Sequence, residues 1–137
     1  MISQFAQLNW MGVAIAFLAY CIVGPLWFTL LFPKAYRRSL GKENETLPNK
    51  PIFIVGPALC SLVITIATAL LLYALQISSI QAGIEFSLLI GIGFLVANTV
   101  TIAINPNFPK PILYSIISGS YHLVCILIVT VVLIAMK

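Results

Sequence analysis

Four long apolar runs decide what this chain can fold into. They cover residues 8–32, 51–76, 82–104 and 112–136, about 23–26 residues each, and Glu85 is the only Asp, Glu, Lys or Arg in any of them. A helix needs about 20 apolar residues to cross a hydrocarbon core near 30 Å thick. Within lipid the backbone must satisfy its own hydrogen bonds, so a spanning segment is either a helix or part of a closed barrel. Barrel strands are about ten residues long and alternate in polarity; these runs are longer and do not alternate. The expected fold is all-α, an antiparallel bundle of four transmembrane helices in one membrane domain covering 1–137.

The connections support this reading. Residues 33–50 hold Lys34, Arg37, Arg38, Lys42, Glu43, Glu45 and Lys50, the second connection near 77–81 is short and uncharged, and the third is Asn105-Pro-Asn-Phe-Pro-Lys-Pro111. Prolines 106, 109 and 111 stop one helix and start the next. The first and third loops carry six Lys and Arg residues, against Lys137 alone on the opposite side. The positive-inside rule then predicts a cytoplasmic 33–50 loop, with both termini outside. No Lys or Arg precedes the first run. That suits a translocated tail and argues against a cleavable signal with a basic start. Residues 34–40 suit a short helix at the inner surface, where Lys34, Arg37 and Arg38 meet anionic lipid headgroups. An acidic partner protein is the other reading of that segment.

Composition excludes several classes of function. Apolar residues make up 61% of the chain and charged residues 7%, whereas soluble domains carry about 25% charged residues. The net charge of +4 is concentrated between two spans, which argues against a nucleic-acid surface. Cys21, Cys60 and Cys125 all fall in apolar runs without a CxxC pair, so packing explains them better than a disulfide or a metal site. No phosphate loop, GxSxG, HExxH or carboxylate pair is present. No enzyme, cofactor or metal is expected.

Helical spacing sorts the polar residues onto faces. Ser87, Gly91, Asn98, Thr101 and Asn105 fall within about 60° of one line on the third span at ~3.6 residues per turn. The fourth span aligns Ser115, Ser118, Gly119, His122 and Cys125; the second aligns Pro57, Ser61, Thr65, Thr68 and Gln76; the first aligns Asn9, Gly12, Ala16 and Ala19 or Tyr20. Such faces either pack helix on helix through small residues and hydrogen bonds or line a polar path. His122 lies roughly 16 Å into the fourth span by helical rise, close to the midplane. An ionisable group there is costly unless paired. Its two readings are a neutral ring bonded to Asn98, Thr65 or Thr68, and a proton-exchanging site. Glu85 falls off the polar face near one end of its span, where water reaches it. The tetrapeptide Ile-Val-Gly-Pro occurs at 22–25 and 54–57. Gly24, Pro25, Gly56 and Pro57 are therefore candidates for a paired kink or hinge, with simple kinking as the alternative.

Several short segments carry a resemblance. Leu8-Asn9-Trp10, Gly24-Pro-Leu-Trp-Phe28, Phe32-Pro-Lys-Ala-Tyr36, Gly41, Gly83-Ile-Glu-Phe, Gly91-Ile-Gly-Phe94 and Ile117-Ser-Gly-Ser-Tyr-His122 resemble a family of small four-span bacterial membrane proteins, domain of unknown function 1761. The resemblance implies the four-span fold and a bacterial inner-membrane location. It brings no activity and no catalytic residues.

Two functions stay open at this stage. One is the passage or binding of a small solute or ion in a polar interior formed by His122, Asn98, Thr101, Ser118, Thr65 and Thr68. The other is a non-transporting accessory or structural role, packing against other membrane proteins. A homo-oligomer in the lipid bilayer is expected in either case.

Overall fold

A computed structural model describes residues 2–45, 48 and 50–137. Among them it contains helices and connecting turns, with no strand. Four helices have the length and apolarity to cross a membrane: Trp10–Leu31, Ile52–Ala74, Ile80–Ala103 and Pro111–Ala135. These are spans one to four, and the chain is a multi-pass membrane protein. The first loop adds a short helix, Pro33–Ser39, with Pro33 in its first turn.

Local chemistry fixes the helix ends. Asn9 caps span one, its side-chain oxygen accepting from the backbone N–H groups of Met11 and Gly12 at 3.1 and 3.2 Å. Ser79 caps span three by accepting from the Ala82 N–H at 3.2 Å. Each bond satisfies donors that the first turn leaves unpaired. Pro111 opens span four, where its missing N–H costs nothing.

Span four is the central helix. Its apolar window is 44% buried, against 17%, 22% and 28% for spans one, two and three. Spans one and three pack most closely on it, and span two lies against spans one and four. The buried core joins Val13, Ala16 and Tyr20 of span one to Ala69 and Leu72 of span two, Phe86 of span three, and Cys125, Val129 and Leu133 of span four. Small residues set the closest approaches. A Cβ on Gly83 would strike the end of Ile134, and one on Gly91 would lie 2.6 Å from the end of Leu123. Close packing of this kind is how helices associate where lipid offers no hydrophobic drive.

Two spans are not regular α-helices. The Phe32 N–H reaches back to the Trp27 carbonyl, five residues away, at 2.9 Å, closing a π-helical stretch over Leu26–Leu31. A second covers Gly91–Val96, where the Ala97 N–H bonds the Ile92 carbonyl. The first follows Pro25, which cannot donate to the helix ladder. The second makes room for one extra residue in span three and thereby turns its lower half.

Both ends of the bundle are tied. At the uncharged end, the Asn9 amide donates to the Met136 carbonyl at 2.6 Å, and Lys137 donates to the carbonyls of Leu72 and Ile77 at 3.2 and 2.9 Å. The same ammonium sits 4.7 Å above the Tyr73 ring. At the basic end the first and third loops dock. Glu43 meets Lys110 at 3.2 Å and Arg38 at 3.5 Å. Gly41, at φ +69°, lies against Pro109.

Candidate functional site

The chemistry of the interior centres on the interface of spans one and four. His122 Nδ1 and the Tyr20 hydroxyl lie 3.2 Å apart. Tyr20 is buried and His122 half-buried. Which group donates depends on the ring tautomer; either arrangement satisfies two polar atoms that hydrocarbon would penalise.

An aromatic column runs from this pair to the basic end. Tyr121 packs on His122 with ring centroids 5.0 Å apart, and on Tyr20 at 5.9 Å. Phe28 stacks on Tyr121 at 4.9 Å and on Tyr36 at 4.7 Å. Tyr36 then approaches Tyr114 at 6.2 Å, and Tyr114 meets Phe108 of the third loop at 4.5 Å. Gly24 leaves room for the Tyr121 hydroxyl, which would lie 3.3 Å from a Cβ there. The Trp27 indole N–H donates to the Ile117 carbonyl at 3.0 Å. Outside the membrane, burial of Tyr36 and the neighbouring Tyr114 push its hydroxyl pKa above the ordinary tyrosine value.

The column was not visible as a unit in the sequence. Trp27 and Tyr36 both pack onto neighbouring rings. The available signal was the seven-residue spacing of Tyr114 and Tyr121, which places both on one side of span four. Their partners Phe28 and Tyr36 lie on opposite sides of a helix break, where periodicity carries no phase.

The residues expected around His122 divide into two groups, buried and exposed. Ser118, Thr65 and Thr68 are buried. The Thr65 and Thr68 hydroxyls donate to the carbonyls of Ser61 and Ile64, both at 2.8 Å, so they satisfy themselves within span two. Tyr20, rather than Asn98, Thr65 or Thr68, is the partner of His122. Asn98 and Thr101 are exposed on the outer side of span three, a correction to the expected interior face. The π-helical stretch is the cause. One extra residue turns everything below it by about 100°, and Thr99 and Ala103 are buried in place of Asn98 and Thr101.

The repeated Gly-Pro pairs also face different neighbours. Gly24 meets Tyr121 of span four, whereas Gly56 meets only Ile52 of its own helix. Pro25 and Pro57 are both exposed. Only span one is π-helical beyond its proline. The two pairs therefore form no shared pocket.

Two open hollows lie on the surface of the fold, and His122 lines neither. The first, about 470 Å³, lies between the lower half of span three and the first half of span four, lined by Val96, Val100, Ile112, Ser115, Ile116 and Gly119 among others. The second, about 550 Å³, is formed by Lys34, Ala35, Arg37, Arg38, Glu43, Asn44 and Leu113. The three residues expected to meet lipid headgroups thus surround one hollow. No cluster of three metal-ligating side chains occurs among the described residues.

The family comparison matches this architecture. A model described as protein of unknown function DUF1761 matches residues 11–134, which takes in all but the first residue of span one and the last of span four. The chain belongs to the DUF1761 family. No curated protein and no solved structure matches it.

Proposed function

We propose that this DUF1761 protein is a non-transporting accessory protein that packs laterally against other membrane-embedded chains. The outward position of Asn98 carries the proposal. Its amide is exposed, about 8 Å inside the end of span three by helical rise, and holds no hydrogen bond among the described residues. An amide facing hydrocarbon gains by pairing across a helix–helix contact. Gly93 and Ala97 are exposed beside it, and a Cβ on Gly93 would meet nothing within 4 Å. Small residues flanking an amide are the surface on which a second helix approaches closely. A second copy is the simplest partner, because an amide both donates and accepts. We place the first and third loops in the cytoplasm of a bacterial cell, with the termini outside, on the charge asymmetry of the loops.

The interior supports the same reading. His122 is engaged by Tyr20, the span-two threonines bond their own backbone, and aromatic rings fill the column beside them. A path for a solute or ion is the competing reading, since the His122 imidazole is an ionisable group near the midplane.

Photo-cross-linking from position 97 in native membranes, read beside flux in reconstituted vesicles, separates the two. The expected result is one discrete cross-linked product that Asn98→Leu removes, with no flux that His122→Ala changes. Ion or solute flux abolished by His122→Ala in a folded bundle would overturn the proposal.

A further inference from the structure

We infer that the basic end of the bundle is a specific site for one anionic phospholipid, its headgroup held by Lys34, Arg37 and Arg38 and one acyl chain laid along span four. Both hollows reach the first turn of that span, about a quarter-turn apart around it, and share no lining residue. Ile112 lines the apolar one, and the next residue, Leu113, lines the basic one. Lys110, immediately before this turn, pairs with Glu43 at the border of the basic hollow.

The charge balance selects an anion. Three cations border the basic hollow with a single carboxylate, Glu43. That carboxylate is already shared between Arg38 and Lys110. Lys34 and Arg37 form no ion pair among the described residues and face a hollow of about 550 Å³, room enough for a phosphodiester group. Each cation at a membrane surface adds roughly 1 kcal/mol of attraction for anionic lipid.

The apolar hollow selects an acyl chain. Its walls run from Ile112 to Leu123 on span four and from Ile92 to Ile104 on span three. Eleven residues of helical rise make it about 16 Å long, close to half of a ~30 Å hydrocarbon core. Ile112 and Ile116 are 76% and 63% exposed, so these walls lack a protein covering. Ser115 lines the same groove; it is 9% exposed, and its hydroxyl has no hydrogen-bond partner. It sits about 6 Å below the start of span four, an unpaired hydroxyl available to donate to an ester carbonyl of a lipid in the groove. A free phosphate would use the cations and leave the groove empty. A lipid uses both.

Native mass spectrometry of the full chain, released from vesicles of equal phosphatidylglycerol and phosphatidylcholine, tests the site. The expected result is one phosphatidylglycerol retained per chain. Lys34→Gln/Arg37→Gln, at exposed positions, should weaken retention roughly 30-fold for two lost cations. Ile116→Trp should also reduce it by filling the groove while leaving every cation in place. Soluble glycerol 1-phosphate, added at the lipid's concentration, should not displace it. Equal retention of both lipids, retention unchanged in either variant, or displacement by glycerol 1-phosphate would overturn the inference; displacement would assign the hollow to a free phosphate.

Discussion

The Tyr20 hydroxyl stands 3.2 Å from His122 Nδ1, joining the first and last spans near the midplane. These residues are far apart in sequence, and their contact turns a costly intramembrane imidazole into a helix–helix bond. It also holds Tyr121 between His122 and Phe28, so the aromatic column and the polar bond support one another.

The energy of that bond and of the packing around it can be separated. Interhelical hydrogen bonds in membranes contribute about 0.6 kcal/mol on average and up to ~1.7 kcal/mol. Tyr20→Phe keeps the ring and removes only the hydroxyl, so unfolding in mixed micelles should show a loss in this range. Tyr20→Ala also empties a site that is 2% exposed, and should cost about 3–5 kcal/mol. Equal losses in the two variants would mean that the ring contributes no packing.

Glycines on span three should divide by the face they occupy. Gly91→Val places a branched side chain against Leu123 and Ile126, and overpacking of this kind costs about 1–3 kcal/mol. Gly93→Ala meets nothing within 4 Å. In the monomer it should be neutral, or stabilising by up to ~1 kcal/mol through helix propensity. Thermal unfolding of the detergent-solubilised monomer checks both, and a destabilised Gly93→Ala would contradict the outward position of that face.

Much of the fold was legible because lipid imposes a coarse rule. Apolar runs above the spanning length must be helices, whatever the β-branched content of a segment such as Val129–Val132. Interior faces were legible where a helix stays regular. On span one, Gly12, Ala16 and Tyr20 are all buried, as a constant 3.6-residue period requires. The period fails on span three, since nothing in the sequence Gly91-Ile-Gly-Phe-Leu-Val96 marks it as π-helical. Asn98 was assigned inward for that reason alone. The Tyr20–His122 pair escaped notice because a tyrosine on a small-residue stripe reads as bulk, and its partner is set by how two distant helices meet.

Docking of the loops rests more on backbone shape than on charge. Glu43 is 53% exposed at the side chain in its pairs with Arg38 and Lys110, and exposed ion pairs contribute about 0–1 kcal/mol. Gly41 combines a φ of +69° with a Cβ position 2.9 Å from Pro109 Cγ. A left-handed conformation costs a residue with a side chain roughly 1–2 kcal/mol, and the contact adds to it. Gly41→Ala should therefore destabilise the protein more than Glu43→Gln does, as measured by thermal unfolding in detergent. The reverse order would make electrostatics the main tie between the loops.

The π-helical stretch in span three predicts an asymmetric tolerance to deletion. Seen from its two ends, the stretch is one residue too many: Gly91 at its start, against Leu123 and Ile126, and Thr99 below it are both buried. They are eight residues apart, whereas a regular helix returns to nearly the same face after seven. Deleting Gly93 should let the segment close as an ordinary α-helix with both buried faces still in register. It removes no packed side chain, because Gly93 borders nothing within 4 Å. Deleting Val124 from the regular span four should turn Cys125, Val129 and Leu133 by about 100° relative to Ser118 and break the core. Monodisperse expression and cooperative unfolding of the Gly93 deletion, beside loss of folded protein for the Val124 deletion, is the expected pair of results. A Gly93 deletion that fails to fold would show that the extra residue is needed for the bundle itself, and that span three does not simply carry it.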